Sequence, residues 1–318
     1  MRIFRQYESL PEDVRGAVIA IGNFDGVHPG HQVVINEAGL IAHDLGRPWA
    51  VLTFEPHPRR LFAPDQPPFR LTPFRAKAKL IENLGVDMLI VQRFNKAFSQ
   101  LEAKDFVTNA LVKGFGASHV VSGYDFVFGH NRSGHCDLLL AMGAEHGFGF
   151  TAVNAIEDDT GEAYSSTRVR DKLLASDPRG AAAVLGRDFE IEGRVIAGES
   201  RGHGIGFPTA NLTLGSYLRP VNGVYAVRAS LESGTDVPWL DGVANIGVRP
   251  TFGGENVVLE VYVFDFDDDL YGRRLRVRLI DFLRPEKKFD GIDDLKAQIA
   301  LDVSKAKEIL TKGEKKDP

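Results

Sequence analysis

One cysteine, Cys136, occurs in the 318 residues of this chain. No internal disulfide can form, and a metal framework built on several cysteines is excluded. A cytoplasmic location is the expectation that goes with so little cysteine. No apolar run approaches the roughly 18 residues of a membrane-spanning helix. The opening stretch, MRIFRQYESLPEDVRG, lacks the apolar centre of a secretory signal. An excess of positive charge is missing too. The net charge is −5, so no global field attracts nucleic acid. Neither nucleic acid nor membrane is expected as a partner. Repeats and low-complexity tracts are absent. So are two standard phosphate loops, G-x-x-x-x-G-K-[ST] and a G-x-G-x-x-G after a strand.

What is present is the composition of an ordinary globular protein, too long for one hydrophobic core. Two domains are expected, 1–183 and 184–318. In the first, short apolar strands alternate with helical patterns. AVIAIG, WAVLTF, VDMLIVQ, SHVVSG and FTAVNAI read as strands. HQVVINEAGLIAHDLG, AKDFVTNALVKGFG and CDLLLAMGAEHG read as helices, as does the stretch from Thr72 to Gly85, with Thr72 as N-cap and Pro73 at the first position. Such alternation predicts a parallel sheet covered on both faces, with ligands at the carboxyl ends of the strands. SDPRGAAAVLGRDFE reads as a short helix and a linker. Beyond it, FEIEGRVIAG, GVYAVRASL, WLDGVANIG, NVVLEVYVFDF and RLRVRLIDFL are separated by glycine turns and predict a compact β-barrel. A helix from about Asp293 to Leu310 follows.

Chemistry concentrates in a few stretches. In IGNFDGVHPGHQ, His28 and His31 stand three apart around Gly30, at a predicted strand-to-helix turn. Residues three apart share a helix face, glycine permits close backbone approach, and a helix start presents free N–H groups to an anion. A zinc site needs further ligands, and none lies nearby in sequence. In YSSTRVR, Ser165, Ser166 and Thr167 precede a helical run with Arg168, a second anion-binding end; alone, SSTR is also an ordinary N-cap. In GIGFPTANL, Thr209 and Asn211 offer neutral oxygen ligands beside Pro208, although an Asx or ST turn suits PTAN equally. Glu260 interrupts an otherwise apolar strand, NVVLEVYVFDF. A carboxylate there needs a partner or a task, unless it sits at a solvated edge.

H-x-G-H after the first strand, with a late S-[ST]-x-x-R element, resembles the nucleotidyltransferase superfamily. The longer series GNFDGVHPGHQ, TFEPHPRRLF, RLTPFRAKAKLIENLGVD, GYDFVFG and SSTRVR resembles the adenylyltransferase half of bacterial bifunctional riboflavin kinase/FAD synthetases. GFPTANL, GVANIGVRPTF, LEVYVFDFDDDLYG and LRPEKKF resemble the flavokinase barrel of the same family, in family order. The resemblance implies a Rossmann-like nucleotidyltransferase domain followed by a flavokinase-type β-barrel with a terminal helix. It implies that riboflavin is phosphorylated to FMN and that FMN is adenylylated to FAD, with ATP, riboflavin, FMN and Mg²⁺ as small-molecule partners. His28, His31 and Arg168 would be the catalytic groups of the first site. Gly22, Asn23, Phe24, Gly30, Asp125, Ser166 and Thr167 would bind its nucleotide, and Phe54, Pro56, His57 and Pro58 would border its flavin. In the second site Thr209 and Asn211 would hold magnesium and ATP phosphates, and Glu260 would be the general base. Arg249 would approach phosphate or flavin; a plain surface arginine is the alternative. Asp265, Asp267, Asp268 and Asp269 read as a solvated turn. Tyr262 stands where histidine is frequent in the family, and His135 where an acid often follows RSG. Two other readings stay open: a kinase with a degenerate first domain, and a flavin-binding protein without chemistry.

Overall fold

A computed structural model describes residues 1–8, 10–196, 206–231, 238–251 and 254–313, with the side chains of 249–251, 254–256 and 313 outside the described set. The chain divides into two compact units, Met1–Pro67 with Thr72–Ser165, and Pro68–Leu71 with Ser166–Pro318.

The first unit is built on six strands: β1 (Arg2–Arg5), β2 (Val18–Ile21), β3 (Trp49–Glu55), β4 (Met88–Arg93), β5 (His119–Gly123) and β6 (Gly149–Val153). Their order is β1-β4-β3-β2-β5-β6, and every pairing is parallel. All four residues of β2 are buried, because both faces of the sheet are covered. Ile19, Leu52 and Phe106 belong to one apolar cluster, and Val18, Val51 and Ile35 to another. From β2 the chain runs outward through β3 and β4 on one side and later through β5 and β6 on the other. The strand order therefore reverses between β2 and β5, where the carboxyl ends of such sheets open a crevice. Helix α1 (Pro29–Leu45) presents Val34, Ile35, Ala38 and Ala42 to the sheet at helical spacing and ends at Gly46, whose φ of 59° is left-handed. Short helices α2 (Pro58–Phe62), α3 (Phe74–Glu82), α4 (Lys96–Ser99) and α5 (Ala103–Phe106) follow, then a π-helical stretch, Val107–Gly114, and α6 (Cys136–His146).

Two details differ from the sequence expectation. Helix α3 starts at Phe74, with Pro73 in the cap position. Thr72 is drawn away from capping because its N–H donates to Asp25 Oδ1 (3.0 Å) and its hydroxyl accepts from Gly26 N–H (2.8 Å). Strand β1 carries little apolar signal, RIFR, because it is an edge strand paired only with β4.

In the second unit α7 (Ser166–Leu174) and α8 (Pro178–Leu185) precede six antiparallel strands. These are β7 (Phe189–Arg194), β8 (Ala210–Thr213), β9 (Gly223–Leu231), β10 (Leu240–Thr251), β11 (Gly254–Val263) and β12 (Arg274–Arg284). The order is β7-β12-β9-β10-β11-β8, and a bridge between Ile196 and Asn211 links the chain just past β7 to β8, so the sheet nearly closes into a barrel. Alternation follows from that closure. Leu275, Val277 and Leu279 of β12 are buried, while Arg274 and Arg276 meet Glu192 and Glu190 on the other face. Helix α9 (Ile292–Gly313) buries Ala306 and Leu310 against Val224, Val243 and Leu283. Asp302, only 5% exposed, receives a two-pronged bond from Arg284 of β12 and a third from Gln298. Among the described residues no helix is long and apolar enough to cross a membrane.

Candidate active sites

The first site grows from the turn between β2 and α1. Beyond Ile21 the backbone leaves the ladder and takes positive φ at Phe24 (48°), Gly26 (97°) and Val27 (46°). The left-handed region is strained for a branched residue such as Val27, and such strain persists only where neighbours hold it. Asp25, 2% exposed, and Thr72, 4% exposed, do so through the two bonds that displaced Thr72 from its cap. The turn delivers His28 to the N-cap of α1. His28 Nδ1 accepts from His31 N–H (3.3 Å), so a neutral ring carries its proton on Nε2. The two imidazoles stack, with centroids 3.6 Å apart and planes at 21°. Phe24 meets His31 edge-on at 5.4 Å. A Cβ at Gly30 would come within 3.3 Å of the His28 ring and 3.5 Å of Tyr164 Cβ. Gly22 is similarly confined: its Cβ would sit 2.8 Å from the Phe24 ring. The structure thus brings Gly22, Asn23, Phe24, His28, Gly30 and His31 into one turn at a helix start, with Tyr164, one residue before SSTR, alongside.

Across the switch point, Asp125 is exposed just past β5. Ser166, Thr167 and Arg168 open α7, in the second unit. At the end of β3, His57 caps α2 by accepting from Arg59 N–H (3.1 Å), and Pro58 takes the first helical position. Pro56 lies between them and β3. Phe54 is 7% exposed and packs against Phe94 and Phe98, each 6.0 Å or less from its neighbour in that set. The exposed ring of this aromatic group is Phe62 (68% exposed), 6.0 Å from Phe94. Phe62 has little to mark it in the sequence beyond an aromatic at the end of RRLF.

The second site is a cavity of about 1160 Å³ in the barrel unit. Glu260 of β11 stands directly opposite Asn211 of β8 on one side and Asn245 of β10 on the other. Residues opposite one another share a face of the sheet, and all three line the cavity, with Thr209. Asn211 is 3% exposed and its amide donates to the Thr209 carbonyl (3.4 Å). Asn245 donates to Glu286 of the LRPEKKF stretch (3.4 Å). Asn245 and Glu286 are partners that sequence reasoning did not single out, since only strand register sets Asn245 beside Glu260. Tyr262, two residues past Glu260, also lines the cavity and meets Phe207 edge-on at 5.4 Å. The acids Asp267, Asp268 and Asp269 are exposed at its margin. The backbone of Arg249 lies in β10 opposite Asn256, while its side chain falls outside the described set. No group of three His, Cys, Asp or Glu residues able to hold a metal occurs among the described residues.

A helix start with two imidazoles at a switch point, and a barrel cavity that carries Glu260, Asn211 and Asn245 among apolar side chains, are the two candidate sites, of a kind suited to an enzyme of phosphate chemistry. Comparison with known proteins narrows the class. The FAD synthetase family model matches residues 10–168 and the riboflavin kinase model residues 185–310. The bifunctional riboflavin kinase/FMN adenylyltransferase of Escherichia coli K12 is 41% identical over 98% of both chains. That of Bacillus subtilis is 37% identical over 96% of both. A solved structure of a Streptococcus pneumoniae protein, described as a macrolide-efflux protein, aligns with a TM-score of 0.83 at 29% identity, covering 96% of this chain and 99% of that one. The chain belongs to the family of bifunctional riboflavin kinase/FMN adenylyltransferases.

Proposed function

We propose that residues 184–318 phosphorylate riboflavin with ATP, and that residues 1–183 join AMP from a second ATP to the FMN so formed, giving FAD and pyrophosphate. The observation that supports this most is that each matched segment gathers unusual polar groups at one place. The first has two stacked imidazoles at an open helix start, and the second has a carboxylate set between two asparagines on a cavity wall. A flavin store without chemistry needs neither. A degenerate first domain would have no reason to keep the strained turn at Phe24 and Val27.

In the kinase, Glu260 accepts the proton of the riboflavin 5′-hydroxyl as that oxygen attacks the γ-phosphorus of ATP; a new O–P bond forms, the bond from the γ-phosphorus to the β–γ bridging oxygen breaks, and ADP leaves. Asn211 and Asn245 orient the carboxylate from either side. Magnesium fits the donors available. Thr209 and Asn211 offer hard oxygen atoms, and magnesium commonly takes one or two protein ligands and completes its shell with water and substrate phosphate. Thr209 and Asn211 would hold it, and once bound it would neutralise phosphate charge. Arg249 contributes to phosphate or flavin binding.

In the adenylyltransferase, an FMN phosphate oxygen attacks the α-phosphorus of ATP, a new P–O–P bond forms, and the bond to the β-phosphate breaks. No covalent intermediate with the protein is needed. His28 Nε2, His31 and Arg168 stabilise the phosphate oxygens and the leaving pyrophosphate. Gly22, Asn23, Phe24, Gly30, Asp125, Ser166 and Thr167 surround the nucleotide. Phe54, Pro56, His57 and Pro58 shape the flavin side, with the exposed ring of Phe62 as a stacking surface. The enzyme works in the cytoplasm on small molecules, without nucleic acid. Incubation with riboflavin, ATP and Mg²⁺ tests the proposal directly. FMN should rise first and then give way to FAD. FMN that accumulates without FAD would remove the adenylyltransferase half, and binding of riboflavin with no product would remove both.

A further inference from the structure

Helix α3 places Lys77 with its side chain wholly buried, 0% exposed. A lone ammonium in that position would be strongly unfavourable, so it needs partners. Its Nζ donates to the Asn23 carbonyl (3.1 Å) and to Thr53 Oγ1 (2.9 Å), and lies 3.1 Å from Glu55 Oε1. An ammonium has three donors, and each meets an oxygen. Thr53 Oγ1 in turn donates to the Asn23 carbonyl (3.2 Å).

These oxygens belong to two segments that no longer pair with each other, although Thr53 to Glu55 stay laddered to β4 on their other side. The β2–β3 register ends at Ile21 opposite Leu52, with one further bond from Gly22 N–H to the Leu52 carbonyl. Past that point one chain turns into Asn23, Phe24 and the two histidines. The other continues through Thr53, Phe54 and Glu55 toward Pro56 and His57. Lys77 sits where the ladder ends and ties the two together. Its bond to the Asn23 carbonyl also sets the peptide that leads into the left-handed Phe24, whose ring abuts His31.

We propose that Lys77 is a positioning residue of adenylyl transfer. Its ammonium holds the nucleotide turn and the flavin-side strand end at one fixed separation, so that attacking phosphate and α-phosphorus meet in line. The inference rests on assigning FMN adenylylation to the first unit. In-line transfer is sensitive to placement, and a shift of about 1 Å costs on the order of 10²-fold in rate.

The test uses the full chain, with ATP and FMN for one activity and ATP and riboflavin for the other. Lys77→Met keeps the volume and removes the charge, and so takes the ammonium away from Glu55. The double variant Lys77→Met/Glu55→Gln removes both charges of the pair. It should melt with wild-type cooperativity, phosphorylate riboflavin normally, and form FAD about 100-fold more slowly in kcat, with little change in KM for ATP. Thr53→Val is the second probe, since it deletes one partner of the ammonium without changing shape or charge; a drop in kcat of about tenfold is expected. FAD formation within twofold of wild type in the folded double variant, or in Thr53→Val, would overturn the proposal and leave Lys77 a structural ion pair. A wild-type chain that forms no FAD from FMN would instead overturn the functional assignment beneath it.

Discussion

At the scale of single residues, the two sites make separable predictions. His28 is at once the helix cap, one face of the imidazole stack, and the proposed donor through Nε2. His28→Ala should lower FAD formation from FMN on the order of 10²–10³-fold, as for other positioned charge-stabilising donors. Riboflavin phosphorylation should stay at the wild-type rate, measured by chromatographic separation of the flavins. Glu260→Gln keeps the side chain's size and its place between Asn211 and Asn245 but cannot take a proton. It should abolish most riboflavin phosphorylation and leave FAD formation from supplied FMN intact. Equal damage to both activities by either substitution in folded protein would contradict the two-site assignment. The candidate residues of both sites were legible because a glycine, a proline or a charge stands in each where an apolar strand or regular helix has no use for it. Lys77, Asn245 and Glu286 were not legible. A lysine on a helix and an asparagine in a strand look ordinary until burial and register give them partners.

At the scale of elements, what holds each one in place differs between the units. Helix α9 is anchored to β12 through Arg284 and Asp302 as well as by Ala306 and Leu310. Truncating one partner of such a pair leaves the other charge unmatched, so Asp302→Ala should destabilise the barrel unit by about 3 kcal/mol in urea titration. In the parallel sheet, His119 of β5 bonds Thr151 of β6 (Nε2 to Oγ1, 2.8 Å). Burial pushes its imidazole below the ordinary value of 6.5, partly opposed by the Glu37 carboxylate. The unfolded chain then binds this proton more readily than the folded one. Its contribution to stability is complete above pH 6.5 and is lost as pH falls below that value toward the depressed one. His119→Gln should flatten the fall in urea midpoint between neutral and mildly acid pH; an unchanged slope would count against the assignment. The strands of the parallel sheet were legible because both faces are covered and the runs are continuously apolar. Strand β1 was hidden by its edge position. The cap of α3 was misread because Thr72 has stronger partners in Asp25 and Gly26 than in its own helix.

At the scale of the whole molecule, each of the two units carries its own core and one candidate site. Riboflavin that binds the cavity of the barrel unit must stabilise the strands that line it by mass action. At about a hundred times its Kd the gain is about 2.7 kcal/mol, and hydrogen exchange of the β10 and β11 amides should slow accordingly. No added protection there would place the flavin elsewhere. The fold class was readable at this scale because hydrophobic period reports local geometry: alternating strands and helices in one half, closely spaced strands in the other.

Two architectures, a histidine-bearing helix start and an out-of-place carboxylate at Glu260 are readable from the chain's local chemistry. These follow from local chemistry, since turn residues, periodicity and misplaced charges are properties of neighbouring positions. It takes the folded chain to set Glu260 between Asn211 and Asn245, to stack the two imidazoles, and to bring a buried lysine 54 residues from Asn23 to that turn and the end of β3. Strand register and side-chain burial are settled by packing across the whole unit, and no stretch of sequence carries that information alone.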